Sequence, residues 1–202
     1  SFCIFGETNT VNNYKRPFEE CGYIGSNQEP VFSGIASSVA TLVSEDYKHG
    51  ALLIDIGAGT TEFMLFHGTG YFTCGVIPVG CDHMANDISI GLDLHISRAR
   101  KILLDVFKTE DFLRAPHIEI EGSVELRKIP SVSVEKIAEL RINEIMDIII
   151  SKIGISNLKR HVDRGIVICG GGAAFPSVIR CAEKKFDAPV RIGLPREING
   201  AV

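Results

Sequence analysis

The chain has 202 residues, of which 45% are hydrophobic and 23% are charged, and its formal net charge at pH 7 is −4. This share of apolar side chains can offset the entropy cost of ordering a chain, so the composition excludes an intrinsically disordered protein. The sequence has no basic block, which argues against nucleic acid as a partner, because proteins of that class neutralise phosphates with clustered Lys and Arg.

The first 47 residues predict short, separate elements. We predict a strand over Phe2–Phe5 and a helix over 11–21, which Pro17 should kink or shorten because proline removes a backbone donor. A second short strand is predicted over Pro30–Phe32, and a second helix over Ile35–Val43. The predicted buried face of that second helix consists of Ile35, Val39 and Leu42.

The middle of the chain predicts a three-stranded antiparallel meander. Its strands are the apolar segments Ala51–Ile56, Glu62–Phe66 and Tyr71–Val79, which glycine-rich turns separate. The stretch that follows, 82–160, differs in character because helical periodicity dominates it. There we predict helices over Asp82–Leu92, Ser97–Phe107 and Glu135–Ile153 and strands over Ile118–Ile120 and Val124–Leu126. The longest helix carries an apolar stripe of Ala138, Ile142, Ile145, Ile149 and Ile153.

The last third of the chain returns to a strand–helix–strand pattern. We predict a buried strand over Gly165–Cys169, a helix over 175–186 with Pro176 in its first turn, and a final strand over Val190–Ile192. The longest apolar runs, such as Ile145–Ile150, are far shorter than the ~20 residues of a membrane span. We expect no secretory leader. The six cysteines form no CxxC pair, which argues against a zinc site and is typical of a reducing cytoplasm.

Two glycine-rich loops carry the candidate chemistry. The first follows a strand that ends in Asp55, and its glycines let backbone N–H groups approach an anion closely. A carboxylate there is suited to a hydrated Mg²⁺ that bridges phosphates. The second loop joins a buried strand to a helix start, which also favours phosphate groups. The candidate binding residues are Asp55, Gly57, Ala58, Gly59, Thr60 and Thr61 in the first loop and Gly170, Gly171, Gly172 and Ala173 in the second.

Taken singly, either loop is equally compatible with a plain structural turn. Together they resemble the second phosphate loop and the adenosine loop of the actin-like ATPases. The stretch from Val76 to Leu92 narrows the resemblance to one family of these ATPases. Its segment Ile77-Pro78-Val79-Gly80-Cys81-Asp82-His83 is similar to a pattern of the FtsA cell-division family. Lys128–Pro130, Arg141–Ile145 and Val190–Pro195 resemble later segments of the same family.

This resemblance implies an α/β fold: an actin-like (ribonuclease-H-like) lobe with a mixed, mostly parallel sheet, flanking helices and a smaller inserted α/β subdomain. Residues 1–47 would be a remnant of the first actin-like lobe, 48–81 and 161–202 the nucleotide-binding core of the second lobe, and 82–160 the inserted, partner-binding subdomain. The remnant would be poorly packed or completed by another molecule.

The family also implies ATP and Mg²⁺ as cofactors, with Asp55 as the metal-binding residue. It implies self-association into filaments and docking of the FtsZ C-terminal tail on residues 82–160. The expected location is the cytoplasm, at the inner face of the cell membrane at the division site. Membrane attachment would use a C-terminal segment absent from this sequence.

Several residues depart from the family pattern, and they weaken the expectation of catalysis. Ser33 stands where many relatives have glutamate and is too short to orient water. Arg100 and Leu103 replace an acidic ribose contact and a lysine, and Cys81 replaces a glycine. Glu62 could approach a γ-phosphate, but its place on a strand favours a solvent-facing side chain.

We therefore expect a weak or absent ATPase and assign no residue a catalytic role. Two other functions stay open. One is an interaction module of the same fold without nucleotide chemistry, and the other is a phosphotransferase of the sugar-kinase branch.

Overall fold

A computed structural model describes residues 6–23, 30–68, 70–108, 115–121 and 126–195. The strand predicted over Phe2–Phe5 lies outside these ranges, as does Val124. Within the described ranges, no helix is both long enough and apolar enough to cross a membrane.

A mixed five-stranded sheet forms the centre of the fold. Its strands are β1 (Ala51–Ile56), β2 (Thr61–His67), β3 (Gly70–Ile77), β6 (Ile166–Cys169) and β7 (Val190–Ile192). They lie in the order β3-β2-β1-β6-β7. β2 is antiparallel to both neighbours, whereas β1, β6 and β7 are parallel. Four of the five strands therefore run in one direction, and the meander and the mixed sheet are confirmed.

Helices and a small hairpin complete the described part of the chain. The helices are α1 (Thr8–Glu20), α2 (Ser33–Thr41), α3 (Ser44–His49), α4 (Cys81–Gly91), α5 (Ile96–Lys108), α6 (Ser131–Ile153), α7 (Ile155–His161) and α8 (Val178–Phe186). The hairpin pairs β4 (His117–Glu121) with β5 (Leu126–Pro130), and a 3₁₀ turn covers Gly171–Ala174.

Alternation along the strands gives the sheet two apolar faces. One face, which we call the helical face, packs Ile54, Ile56 and Phe63 against buried residues of α4, α5, α6 and α8. The stripe predicted on α6, from Ala138 to Ile153, is buried there. The other face, which we call the α2 face, packs Leu53 and Met64 under α2 and α3. The two glycine-rich loops follow the ends of β1 and β6.

The structure corrects several local predictions in the first 47 residues. α1 begins at Thr8, three residues before the predicted start, and ends at Glu20, so Pro17 does not shorten it. None of its residues is buried, so the expected poor packing holds for α1 but not for α2 and α3, which have buried residues and pack on the sheet. Residues 30–32 form no strand.

The buried face of α2 agrees only in part with the predicted one. The buried residues of the helix are Gly34, Ser38 and Thr41. Leu42, just past the helix end, is buried as predicted and Ile35 packs against the same core, whereas Val39 is 73% exposed. A Cβ on Gly34 would lie 2.9 Å from the Met64 sulfur, so small residues bring this helix close to the sheet. The hydroxyls of Ser38 and Thr41 donate to carbonyls of their own helix, which makes their burial inexpensive.

Three further boundaries differ from prediction. β5 begins at Leu126, α6 begins at Ser131, and α8 begins at Val178, so that Pro176 precedes the helix. The Ser131 hydroxyl donates to the Ala115 carbonyl, a tertiary contact that no local pattern reveals.

Candidate functional site

A row of three polar side chains crosses the sheet where β1 and β6 end. Asp55 on β1 lies directly opposite Glu62 on β2 and Cys169 on β6. Directly opposed residues share a face, so all three belong to the α2 face. The sheet register thus places two carboxylates and one thiol side by side.

Helix α2 covers this row with two serines one turn apart. The Ser37 hydroxyl donates to Asp55 Oδ2 at 2.6 Å, and the Ser33 hydroxyl donates to Glu62 Oε1 at 2.6 Å. Positions i and i+4 lie on one side of a helix, so a single helix face meets both carboxylates. These donors stabilise two negative charges that would otherwise repel across adjacent strands.

The Cys169 thiol is a third partner of Asp55. Burial raises the pKa of Cys169 to about 12, with smaller contributions from the Asp55 charge and from a hydrogen bond to that carboxylate. The thiol therefore keeps its proton at neutral pH and can donate it to Asp55. Ser37 and Cys169 hold the Asp55 side chain from two sides.

The first glycine-rich loop is fastened to the start of α4. The N–H of Cys81 donates to the Gly57 carbonyl at 3.0 Å, and that of Asp82 donates to the Ala58 carbonyl at 2.8 Å. Gly80 permits this approach, because a Cβ there would lie 2.5 Å from the Gly57 oxygen. The carbonyls of Gly57 and Ala58 are therefore occupied. Because Ala58 is exposed, the loop presents its backbone to solvent at the end of β1.

The two threonines of this loop differ in environment. Thr60 is exposed, and its carbonyl accepts from the Gly57 N–H at 2.9 Å. Thr61 is fully buried opposite Ile56, on the face that Asp55 does not share, and its hydroxyl donates to the Val79 carbonyl at 2.8 Å. The Thr61 hydroxyl thus holds the ends of the meander together.

The second glycine-rich loop packs against the first strand. Gly170 has φ +81°, and a Cβ there would overlap Asp55 Oδ1 and lie 2.6 Å from the Ile56 oxygen. Only glycine fits both that conformation and that space. Gly172 is buried against Ile56, whereas Gly171 is exposed, and a Cβ on Gly171 would meet no atom within 4 Å. The Ala173 N–H donates to the Gly170 carbonyl at 3.1 Å, which closes the 3₁₀ turn.

A cavity of about 270 Å³ separates the two loops from α5. Backbone of Gly57, Ala58 and Gly171 forms one side. The remaining lining residues are Cys81, Asp82, Ala85, Arg100, Leu103, Leu104 and Phe107. Arg100 Nε lies 3.3 Å from Asp82 Oδ1, so an ion pair stands at one side of an otherwise apolar wall. Burial raises the pKa of Cys81 to about 11, which keeps that thiol neutral.

Three of the ten predicted binding residues, Gly57, Ala58 and Gly171, line the cavity, and Gly170 packs against Asp55. Thr61 and Gly172 are buried. Apolar walls beside backbone donors suit a flat ring attached to an anionic group. Sequence reasoning missed Ser37 and Cys169, although the i, i+4 spacing of two serines was a visible signal.

Asp55 is the carboxylate that the sequence predicted as a metal ligand. Within the described ranges, no three His, Cys, Asp or Glu side chains cluster to hold a metal ion. Mg²⁺ commonly takes one or two carboxylates and completes its shell with water and phosphate oxygens. Asp55, fixed beside a glycine-rich loop, meets that need.

Comparison with known proteins gives a consistent result. The family model described as cell division protein FtsA matches residues 52–202. Cell division protein FtsA of Borreliella burgdorferi is 32% identical over 98% of the chain and 48% of its own length. The FtsA proteins of Neisseria meningitidis and Escherichia coli K12 are 29% and 25% identical, over 98% and 94% of the chain. The chain spans about half the length of these relatives.

Solved structures show the same fold at lower identity. MreB5 of Spiroplasma citri bound to AMPPNP has a TM-score of 0.71 at 18% identity, over 95% of the chain and 62% of that protein. EutJ of Carboxydothermus hydrogenoformans has a TM-score of 0.55 at 14% identity, over 81% of the chain and 49% of that protein. The fold is therefore actin-like. Since the family model matches about three quarters of its residues, the chain belongs to the FtsA family of cell division proteins.

Proposed function

We propose that the chain is the nucleotide-binding half of an actin-like cell-division scaffold that binds ATP with Mg²⁺. The observations that carry this proposal are that Gly170 of the second loop packs against Asp55 and that both loops line one cavity. The MreB5 neighbours bound to AMPPNP and ADP support it, because proteins of this fold bind adenine nucleotides.

Each part of the site has a distinct role in this proposal. Asp55 holds Mg²⁺ through water, and Ser37 fixes the carboxylate for that purpose. Exposed backbone N–H groups of residues 58–60 and 170–171 bind phosphate oxygens. The apolar wall with Leu103 and Phe107 receives the adenine ring. Bound Mg²⁺ supplies positive charge that offsets the phosphates.

Nucleotide titration of the protein at its full genomic length tests this proposal. We expect binding of a fluorescent ATP analogue with Mg²⁺, and about tenfold or greater weakening in Asp55→Ala through loss of the charged ligand. Asp147→Ala is the matched control, because Asp147 lies on α6 and pairs with Lys185. No binding by the unaltered protein, or equal binding by the two variants, contradicts the proposal.

The scaffold role extends the same proposal to partners. The FtsZ C-terminal tail docks on residues 82–160, the protein self-associates into filaments, and it works at the inner face of the membrane at the division site. Membership of the FtsA family supports this, as does a neighbour of the same fold solved as a MamK double helical filament. Fluorescence anisotropy with an FtsZ tail peptide and a scrambled control peptide tests the docking. Equal anisotropy for the two peptides contradicts it.

A second candidate is an actin-fold interaction module without nucleotide chemistry. Arg100 and Leu103 favour it, because both line the cavity where the family places an acidic residue and a lysine. The same titration separates the two functions: the module predicts no nucleotide binding but retained binding of the FtsZ peptide.

A further inference from the structure

Asp46 is a buried carboxylate outside the loops and the cavity described above. It lies on α3, and its side chain is 1% exposed. Its Oδ2 accepts hydrogen bonds from the Val43 N–H at 2.7 Å and from the Arg191 guanidinium. Its Oδ1 is shielded from solvent and lies 3.9 Å from Arg164 Nε. A buried carboxylate is costly unless cations face it, so the charge of Asp46 depends on these two arginines.

The two arginines tie α3 to the side of the sheet away from the meander. Arg191 lies on β7, 145 residues from Asp46 along the chain, and Arg164 shortly precedes β6. The backbone N–H of Arg164 also donates to the carbonyl of Gly50, which directly follows α3, at 2.9 Å. The charge of Asp46 therefore fastens α3 to the part of the sheet that contains β6 and β7.

This attachment of α3 also fixes the position of α2. Only residues 42–43 separate the two helices, so a shift of one helix carries the other with it. A Cβ on Gly193, directly after β7, would lie 2.9 Å from the Thr41 Cβ, so the chain after β7 packs closely on the end of α2. The buried core of the α2 face is small, and elements with little apolar burial open most easily. The ion pairs of Asp46 are thus a main constraint on where α2 lies.

The position of α2 matters because its two serines hold the carboxylates of the sheet. Ser37 donates to Asp55 Oδ2 and Ser33 donates to Glu62 Oε1, each at 2.6 Å. Glu62 is half-buried beside α2 and does not face solvent as predicted. A donor and an acceptor 3.6 Å apart no longer form a hydrogen bond, so a displacement of α2 by about 1 Å would break both contacts.

We propose that Asp46 is a positioning residue for the Mg²⁺ site, an inference that rests on the proposed function. Its ion pairs with Arg191 and Arg164 hold α3 and α2 on the sheet. Ser37 then keeps the Asp55 carboxylate in the orientation that binds hydrated Mg²⁺. Without the charge of Asp46, α2 moves away from the sheet and the Ser37 contact is lost, while the helical face keeps the fold intact.

Thiol labelling of the full-length protein measures the position of α2 without any nucleotide. Cys169 and Cys181 are both buried, but Cys169 lies in the core of the α2 face and Cys181 in that of the helical face. Asp46→Asn should speed the reaction of Cys169 with iodoacetamide about tenfold and that of Cys181 less than twofold. Asp87→Asn is the matched control, because Asp87 pairs with Arg141 among the helices of the helical face. It should leave the ratio of the two labelling rates unchanged.

The affinity for a fluorescent ATP analogue, measured with Mg²⁺ and with EDTA, tests the link to the metal. We expect Asp46→Asn to weaken binding about fivefold with Mg²⁺ and less than twofold with EDTA, because the lost hydrogen bond serves the metal ligand. Ser37→Ala should weaken binding by a similar factor. Asp46→Asn added to Ser37→Ala should then have little further effect, because both changes act on the same contact.

A milder substitution covers the case in which Asp46→Asn does not fold. Arg191→Lys keeps the positive charge but loses the planar guanidinium, and should change the labelling ratio and the Mg²⁺-dependent affinity in the same directions. Arg141→Lys is its control, because Arg141 donates to both carboxylate oxygens of Asp87.

The inference is overturned if Asp46→Asn speeds the labelling of Cys169 and Cys181 equally, or of neither. Equal losses of affinity with Mg²⁺ and with EDTA, or additive effects of Asp46→Asn and Ser37→Ala, also overturn it. Failure of the unaltered protein to bind the analogue would overturn the proposed function and the metal role of Asp46 together. The labelling rates would still show in that case whether Asp46 positions α2.

Discussion

The two faces of the central sheet are covered very differently. On the helical face, five helices contribute to an extensive buried core that includes Ile54, Ile88 and Ile142. On the α2 face, the core has only six buried residues among those described, namely Leu42, Leu53, Met64, Phe66, Val167 and Cys169. The helical face thus supplies most of the apolar burial, and the α2 face carries the carboxylates.

The difference shows how a rigid frame can present charged groups. Asp55 and Glu62 need hydroxyl donors, and Ser33 and Ser37 provide them from a helix that Gly34 brings close to the sheet. A thick apolar layer over these carboxylates would leave them without partners, at a high desolvation cost. The α2 face therefore holds the two carboxylates, whereas the cavity beside the glycine-rich loops is lined by α4 and α5 of the helical face.

The largest effect is expected in the core of the helical face, which a pair of isoleucines on α4 tests. Ile88 is fully buried in the core of the helical face, whereas Ile90 is 73% exposed on the same helix. Ile88→Ala should lower the free energy of unfolding by about 2–5 kcal/mol, through lost burial and a residual cavity. Ile90→Ala should change it by less than about 0.5 kcal/mol. Urea denaturation of the two variants measures both changes, and similar midpoints would contradict the difference in burial between Ile88 and Ile90.

A second test separates neighbouring glycines of the second loop. Gly170→Ala should cost about 1–3 kcal/mol, because φ is +81° and the new methyl group would overlap Asp55. Gly171→Ala meets open space and should cost less than about 0.5 kcal/mol. Thermal unfolding measures the stabilities. Equal melting temperatures of the two variants would show that close packing at Gly170 does not contribute to stability.

Thiol labelling tests whether α2 stays packed on the α2 face of the sheet. Raising the pKa of Cys169 from 9.0 to about 12 lowers its thiolate fraction about a thousandfold at pH 8. The exposed Cys21 should therefore react with iodoacetamide long before Cys169, as mass spectrometry of digested samples can follow. A Cys21→Ser variant should lose the fast phase. Rapid labelling of Cys169 would mean that α2 opens from the sheet.

The smallest effect is expected at the other end of the sheet, where two histidine rings meet. His67 and His161 lie 4.4 Å apart, and Phe72 packs 4.5 Å from His161. Burial, followed by the charges of His67 and Arg160, lowers the pKa of His161, although Asp163 opposes this shift.

The direction of the pH effect follows from that shift. The unfolded state binds a proton at His161 more readily than the folded state does. The contribution of this group to the free energy of unfolding is therefore fully present above pH 6.5 and is lost as the pH drops through the lower folded-state pKa. Melting temperatures of the unaltered protein should therefore decline more between pH 7 and pH 5 than those of His161→Phe. Parallel curves would exclude this contribution.

Local patterns in the sequence predicted the central elements well. The meander, α4, α5 and the stripe of α6 follow from apolar periodicity, because burial on one side repeats with the geometry of the element. The same reasoning was wrong in part for α2. Leu42 and Ile35 pack against the core as predicted, but Val39 is exposed, and close contact with Met64 selects Gly34 and two self-satisfied hydroxyl groups instead.

The sequence by itself determined the two glycine-rich loops, Asp55 at a strand end and the family resemblance, since these depend on residues adjacent in the chain. Only the tertiary structure decided which groups meet Asp55 and Glu62. Ser33 is 29 residues from Glu62, Ser37 is 18 from Asp55, and their contacts depend on how α2 sits on the sheet. Register across β1, β2 and β6 puts the carboxylates in one row, and a shift of one residue would send a side chain to the opposite face.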